Sequence, residues 1–217
     1  MVYPLTKITL GRYAYLYVKD IRGKENFPKD SSFIIAANHA SYYDDLLLPL
    51  LIFMFAKKKV HMYVNSRFFK NYFLKKFLDH HECIPVDVKK DKNSEKVNKD
   101  AFHKALAYIK KGEVIGIFPE GHRSLDGKMQ KAKTGIARLA LAAKVPVVPV
   151  GIIGSYHILP KGKMLPRFKR CSVQIGKPLD FTKYYGKEDK KTALKVTDII
   201  MHSIARLSKQ KYIHGGR

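Results

Sequence analysis

Phe33-Ile34-Ile35-Ala36-Ala37 runs without a polar residue into Asn38-His39-Ala40-Ser41-Tyr42-Tyr43-Asp44, and the apolar stretch Leu46 to Ala56 follows. An apolar run of five, with no alternating polar face, reads as a strand covered on both sides. The stretch after it is interrupted by Pro49. Its length suits a core helix or an interfacial segment and is too short for a membrane span.

The same grammar repeats outward from this unit. Strand-like runs recur at 60–64, 83–86, 114–118, 147–153 and 171–175, with helix-like stretches at 45–56, 66–78, 93–111 and 134–144 and a last one near 190–208. In 93–111, Val97, Ala101, Ala105, Leu106 and Ile109 make one apolar stripe, and Gly112 stands where a helix C-terminal glycine belongs. This alternation predicts an α/β fold, a largely parallel or mixed sheet flanked by helices. Lys89 to Lys99 reads as a charged surface connector running into the third helix. Residues 1–30 mix Tyr3, Tyr13, Tyr15 and Tyr17 with Lys7, Arg12, Lys19 and Arg22. They read as an amphipathic helix with an extended entry, either packed on the domain or touching a membrane. Residues 31–217 are expected to form one domain.

The chain of 217 residues is long enough to bury a core without staples, and its 46% hydrophobic content argues against disorder. Its net charge of +24 suits an anionic partner: nucleic acid, an anionic membrane, or an acidic carrier or substrate. Cys83 and Cys171 lie in apolar runs and are expected to be buried, reduced thiols, consistent with a cytosolic environment. No secretory signal or spanning run is visible, so the expectation is a peripheral or monotopic protein on the cytoplasmic face of a membrane.

Two segments about eighty residues apart carry the chemistry, and each follows a strand-like run. An imidazole titrates near neutrality and can take a proton from a hydroxyl, and a carboxylate on its other nitrogen would fix the tautomer. His39 and Asp44 are candidates for these roles, although Asp44 or Asp45 could equally cap the helix that follows. No G-x-S-x-G elbow marks a serine nucleophile, so a substrate hydroxyl is the more natural attacker. In Phe118-Pro119-Glu120-Gly121-His122-Arg123-Ser124, Gly121 permits a tight turn and Arg123 offers a planar fork for a phosphate. Glu120 would accept from a polyol or hold Arg123; the plainer reading is a loop corner with a surface ion pair.

Lys57 to Leu78 carries seven lysines and arginines and no acid before Leu78, interleaved with Phe68, Phe69, Tyr72, Phe73 and Phe77. That composition suits a membrane interface, with nucleic acid as its rival. His80-His81-Glu82 lacks metal-ligand spacing, and no phosphate-loop or dinucleotide glycine pattern is present, so neither a metal nor a cofactor is expected.

Together the residues resemble the PlsC-type glycerolipid acyltransferases, the 1-acylglycerol-3-phosphate acyltransferase family. His39…Asp44 is similar to that family's N-H-x-S-x-x-D motif and Phe118–Ser124 to its F-P-E-G-T-R-S motif. Cys83-Ile84-Pro85-Val86-Asp87 resembles the second motif and Val145-Pro146-Val147-Val148-Pro149-Val150 the fourth, so that all four occur in family order. The resemblance implies that His39 is the general base and Asp44 its orienter, with Glu120, Gly121, Arg123 and Ser124 binding substrate and Pro149 shaping the site or acyl pocket. It implies acyl transfer from acyl-CoA or acyl carrier protein to the hydroxyl of a lysophospholipid, with 1-acylglycerol 3-phosphate the best acceptor. An anionic membrane surface would be a partner, and no nucleic acid is expected. Two positions depart from the pattern: His122 replaces threonine, and Val88 stands where arginine is usual, with Lys89 or Lys90 able to supply that charge. Glycerol 3-phosphate or another lysolipid therefore remains an alternative acceptor, and a non-catalytic basic RNA- or membrane-binding module the alternative of another class.

Overall fold

A computed structural model of the chain describes residues 15–88, 92–187 and 189–215. Seven strands form its sheet: β1 (Val18–Arg22), β2 (Ile34–Ala37), β3 (Val60–Asn65), β4 (Ile84–Val86), β5 (Val114–Ile117), β6 (Val147–Ile153) and β7 (Cys171–Ile175). Their spatial order is β1-β7-β6-β2-β5-β3-β4, and every neighbouring pair is parallel except β6 with β7. The expected mixed, largely parallel sheet is present.

The helices are α1 (Asp44–Leu51), which continues as a π-helical segment (Ile52–Ala56), α2 (Tyr72–His80), α3 (Lys92–Lys110), α4 (Gly135–Ala143) and α5 (Lys190–Ser208). Both faces of the central strands β2, β5 and β6 are covered, which explains why they carry no polar stripe, whereas β7 alternates apolar Cys171, Val173 and Ile175 with part-exposed Ser172 and Gln174. Phe33, Ile35 and Ala37 pack with Leu47, Leu48 and Leu51 of α1. Ile34 and Ala36 point the other way, into a second core built with α3, α4 and α5. Alternation along a strand sends neighbours to opposite faces, so one short segment anchors both cores.

Three stretches differ from the sequence reading. The extended entry after the N-terminal segment is a true edge strand, since β1 pairs with β7 over Val18–Arg22. The helix expected over 66–78 is broken in two, because Asn71 adopts an extended backbone and its side chain accepts the Leu74 N–H at 3.0 Å, starting α2 afresh. The connector expected over Lys89–Lys99 is mostly the first turns of α3. Asn98 explains this: its amide both accepts from and donates to the Asp87 backbone, at 2.9 Å each, and so ties α3 to the end of β4. Residues 1–14, with most of the proposed amphipathic helix, lie outside the described residues, as do Lys89 and Lys90.

Helix α5 lies directly on β6. A Cβ at Gly151 would sit 2.2 Å from the Leu207 carbonyl carbon and 2.3 Å from the Ser208 nitrogen, so only glycine permits this approach. Gly151→Ala is expected to push helix and strand apart and to lower stability by about 1–3 kcal/mol or more, which denaturant titration will show.

Candidate active site

In a parallel sheet, groups that follow strand ends gather along one edge. β2 and β5 are neighbours in register, Ala36 opposite Ile117. The loop after β2 (38–43) and the turn after β5 (118–124) therefore emerge side by side. Asn38 anchors the first loop to the next strand, exchanging two hydrogen bonds with the Ile152 backbone at 2.8 and 2.9 Å. The turn is bonded back onto the loop, with Ser124 N–H donating to the His39 carbonyl at 2.9 Å.

Within this frame the His39 ring is nearly buried, 6% exposed, and stacks on Phe118 at 3.9 Å. Its Nδ1 faces Asp44 Oδ2 at 3.3 Å. The same oxygen accepts the Ala40 and Ser41 N–H groups at 2.8 Å each. Asp44 thus closes the loop that precedes α1 and orients the imidazole at once. It does not cap the helix, since it is the first residue of α1 and its oxygen accepts N–H groups upstream of it, while the residue before it, Tyr43, makes no side-chain cap bond. With Nδ1–H donated to a carboxylate, the lone pair of the neutral ring is on Nε2. Asp45 Oδ1 lies 3.6 Å from Nε2.

Arg123 joins the site through Asp45, donating from Nη1 to Oδ2 at 2.9 Å, while its guanidinium lies 3.8 Å over the Tyr42 ring. The carboxylate that Arg123 holds is therefore Asp45, not Glu120. Crowding by protein raises the Asp45 carboxyl, and His39 and Arg123 oppose that shift. Two of the buried polar side-chain atoms without a hydrogen-bond partner among the described residues, Asp44 Oδ1 and Arg123 Nε, belong to this cluster. Unsatisfied buried groups concentrate where function requires them.

His39, Tyr42, Asp45, Gly121, His122 and Arg123 open onto a cavity of about 1500 Å³. Its walls are largely apolar, including Leu46, Leu50, Phe53, Met62 and Phe68, and its rim carries cations such as Lys57, Arg67, Lys133 and Lys161. Cys83 also lines it, but burial pushes its thiol up to about 11 and that of Cys171 to about 12. Neither is a thiolate nucleophile at neutral pH.

Three residues expected to bind substrate are placed elsewhere. Glu120 is 1% exposed and absent from the cavity wall; its Oε1 accepts the His39 N–H at 2.9 Å and its Oε2 the Gln130 N–H at 2.6 Å. It is a clamp between loops, because the turn after β5 folds its carboxylate inward. Ser124 is buried and bonded to Asp126 at 3.0 Å. Pro149 also stays off the cavity: alternation along β6 sends Val148 and Val150 toward α1, and the proline ring toward Gly176 and Leu207 of α5. Gly121 and Arg123 do reach the cavity, and Lys89 lies outside the described residues. Gly121 has φ +75°, a left-handed turn in which Lys133 packs across the glycine. Sequence reasoning missed Tyr42 and Lys133 and weighed Asp45 only as a cap. The adjacency of Asp44 and Asp45 was the signal available for the latter.

Burial raises Glu120 to about 7 against the pull of two N–H donors and His39. The folded carboxyl thus binds its proton more tightly than the unfolded one, so ionising it costs stability as pH rises from its ordinary range through about 7. Wild type is expected to lose stability relative to Glu120→Gln between about pH 5 and about pH 8, while the variant is the less stable at the acidic end; denaturant melts at both pH values check the sign.

The described fold and site have counterparts among known proteins. The Acyltransferase family model matches residues 19–153. The 1-acyl-sn-glycerol-3-phosphate acyltransferase of Bacillus subtilis is 30% identical over 172 residues, covering 77% of this chain and 78% of that protein. The chloroplastic 1-acyl-sn-glycerol-3-phosphate acyltransferase BAT2 of Brassica napus is 30% identical over 67% of this chain, which spans only 40% of that longer protein. The crystal structure of the 1-acyl-sn-glycerophosphate acyltransferase PlsC from Thermotoga maritima superposes with a TM-score of 0.68 at 25% identity, covering 94% of this chain and 80% of its own. With the His39–Asp44 pair at the carboxyl end of the central strand β2 and the family match over more than half its length, the chain belongs to the acyltransferase family.

Proposed function

We propose that this protein transfers a fatty acyl group from a thioester donor, acyl-CoA or acyl carrier protein, to the free hydroxyl of 1-acylglycerol 3-phosphate, giving phosphatidic acid. The observation that carries the reading is the oriented imidazole of His39 at the wall of a large apolar cavity rimmed by cations. Nε2 takes the acceptor hydroxyl proton as the oxygen attacks the thioester carbonyl. The oxyanion requires hydrogen-bond donors, a role assigned to backbone N–H groups near the two motifs. The C–S bond then breaks, and the thiolate leaves with the proton carried by the imidazolium. Asp44 stabilises that imidazolium, and no acyl-enzyme is formed.

The acceptor phosphate is assigned to Arg123 and Lys133. Lys133 donates to the Val88 carbonyl at 3.0 Å, which brings an ammonium beside the position where the family usually carries arginine. Arg123 can exchange Asp45 for a phosphate that offers more acceptors. The cationic rim suits donor and acceptor alike, since both are anionic. No helix among the described residues is long and apolar enough to cross a membrane. The protein is proposed to work on the cytoplasmic face of an anionic bilayer through its basic, aromatic α2 region.

Transfer of a labelled acyl group from acyl-CoA to a panel of lysolipids and glycerol 3-phosphate tests the reading. His39→Ala is expected to lower kcat by about 10²–10⁴-fold with vesicle binding kept, and Asp44→Asn to do the same by presenting the wrong tautomer. No transfer by wild type to any acceptor, with RNA or vesicle binding kept in His39→Ala and abolished by Lys-to-Glu changes across 57–76, would instead support a non-catalytic basic module. Lys133→Ala is expected to raise the KM for the phosphate-bearing acceptor about tenfold with kcat little changed.

A further inference from the structure

The connection between β6 and β7 is far longer than an antiparallel pair needs, running from residue 154 to residue 170. Its outer part holds three large apolar side chains almost fully in water: Met164 is 93% exposed, Leu165 82% and Phe168 97%. Around them stand Lys161, Lys163, Arg167, Lys169 and Arg170, and the sequence contains no acidic residue between Gly127 and Leu179. Apolar tips in a basic collar match the layers of an anionic lipid surface, acyl chains beneath phosphates.

The loop is also wired to the active site. The Leu159 carbonyl accepts the Ser41 hydroxyl at 2.8 Å and the Tyr42 N–H at 3.0 Å, so its base is bonded to the loop bearing His39. Lys161 lines the same cavity as Leu74 and Phe77 of α2, whose neighbours Tyr72 and Phe73 are 70% and 81% exposed. The base of the loop and α2 therefore border one opening. We propose that Met164, Leu165 and Phe168 form a second membrane-inserting prong, separate from α2, that holds the cavity mouth in the headgroup layer of an anionic bilayer. Aliphatic tips favour lipid over nucleic acid, because Met164 and Leu165 offer no ring on which a base can stack. The purpose assigned to the prong, delivery of lipid substrate, rests on the acyltransferase reading; insertion itself does not.

The chain contains no tryptophan, so Phe168→Trp creates a single reporter in this chain. On phosphatidylglycerol–phosphatidylcholine vesicles its emission is expected to shift to the blue and to be quenched by lipids brominated along the acyl chain. Unchanged emission while the protein sediments with vesicles would overturn the proposal, as would absence of vesicle binding. The combined variant Met164→Ser, Leu165→Ser and Phe168→Ser is expected to lower vesicle partitioning by about tenfold or more. It should also lose transfer to acceptor presented in vesicles while keeping transfer to a short-chain, water-soluble lysolipid. Equal transfer to both acceptors by the combined variant would overturn the prong's role. Loss of binding to an oligouridine probe with vesicle partitioning unchanged would show a nucleic-acid face and overturn it as well. Failure of wild type to acylate any acceptor, with tryptophan insertion intact, would reject the enzymatic reading alone.

Discussion

One buried carboxylate holds the two halves of the site in place. Glu120 accepts the backbone N–H of His39 and that of Gln130, joining the loop after β2 to the turn after β5 and to the segment beyond it. The clamp works because β2 and β5 are adjacent parallel strands whose ends share an edge. A carboxylate that is 1% exposed is costly to ionise, and the raised proton affinity of Glu120 reflects that cost. Two N–H donors and the neighbouring imidazole offset part of it. What results is a loop whose backbone leaves His39 little freedom before any substrate arrives.

Asp44 and Asp45 divide the work of orienting charge. Asp44 is wholly buried, and one of its oxygens serves two backbone N–H groups and the imidazole together. Asp45 reaches the cavity and stands between the imidazole and Arg123. Adjacent residues at a helix start point in different directions, so one can face the loop while its neighbour faces the substrate space. The cation at the centre of the site is thus already partnered. In the proposed reaction an arriving phosphate would have to offer better hydrogen bonding than a carboxylate already in place, which a phosphate with several acceptor oxygens can do.

The charge distribution fits chemistry at a lipid surface. Apolar walls suit acyl chains, and the cationic rim suits the anionic ends of donor and acceptor. The exposed apolar residues of α2 and of the 154–170 connection stand in basic surroundings. Neither segment gains from exposing those side chains to water, and the proposed bilayer contact would supply the apolar phase they lack.

Much of this was legible along the chain. Short apolar runs bounded by helical periodicity pointed to buried strands and an α/β class, which β2, β5 and β6 show, while β7 has an alternating polar face. The spacing of His39 and Asp44 put one in the loop after β2 and the other at the first residue of α1, and the turn between them brought the two side chains together. Edge strand β1 escaped notice because its five residues, Val18-Lys19-Asp20-Ile21-Arg22, carry three charges, as an edge exposed to water permits. The break at Asn71 depended on one side chain capping a helix, a choice that periodicity does not register. The directions of Glu120, Ser124 and Pro149 were decided only by the tertiary structure. Composition and spacing specify which chemical groups a motif offers, whereas strand neighbours, register and the pleat determine which of those groups face the cavity and which turn inward to hold it open.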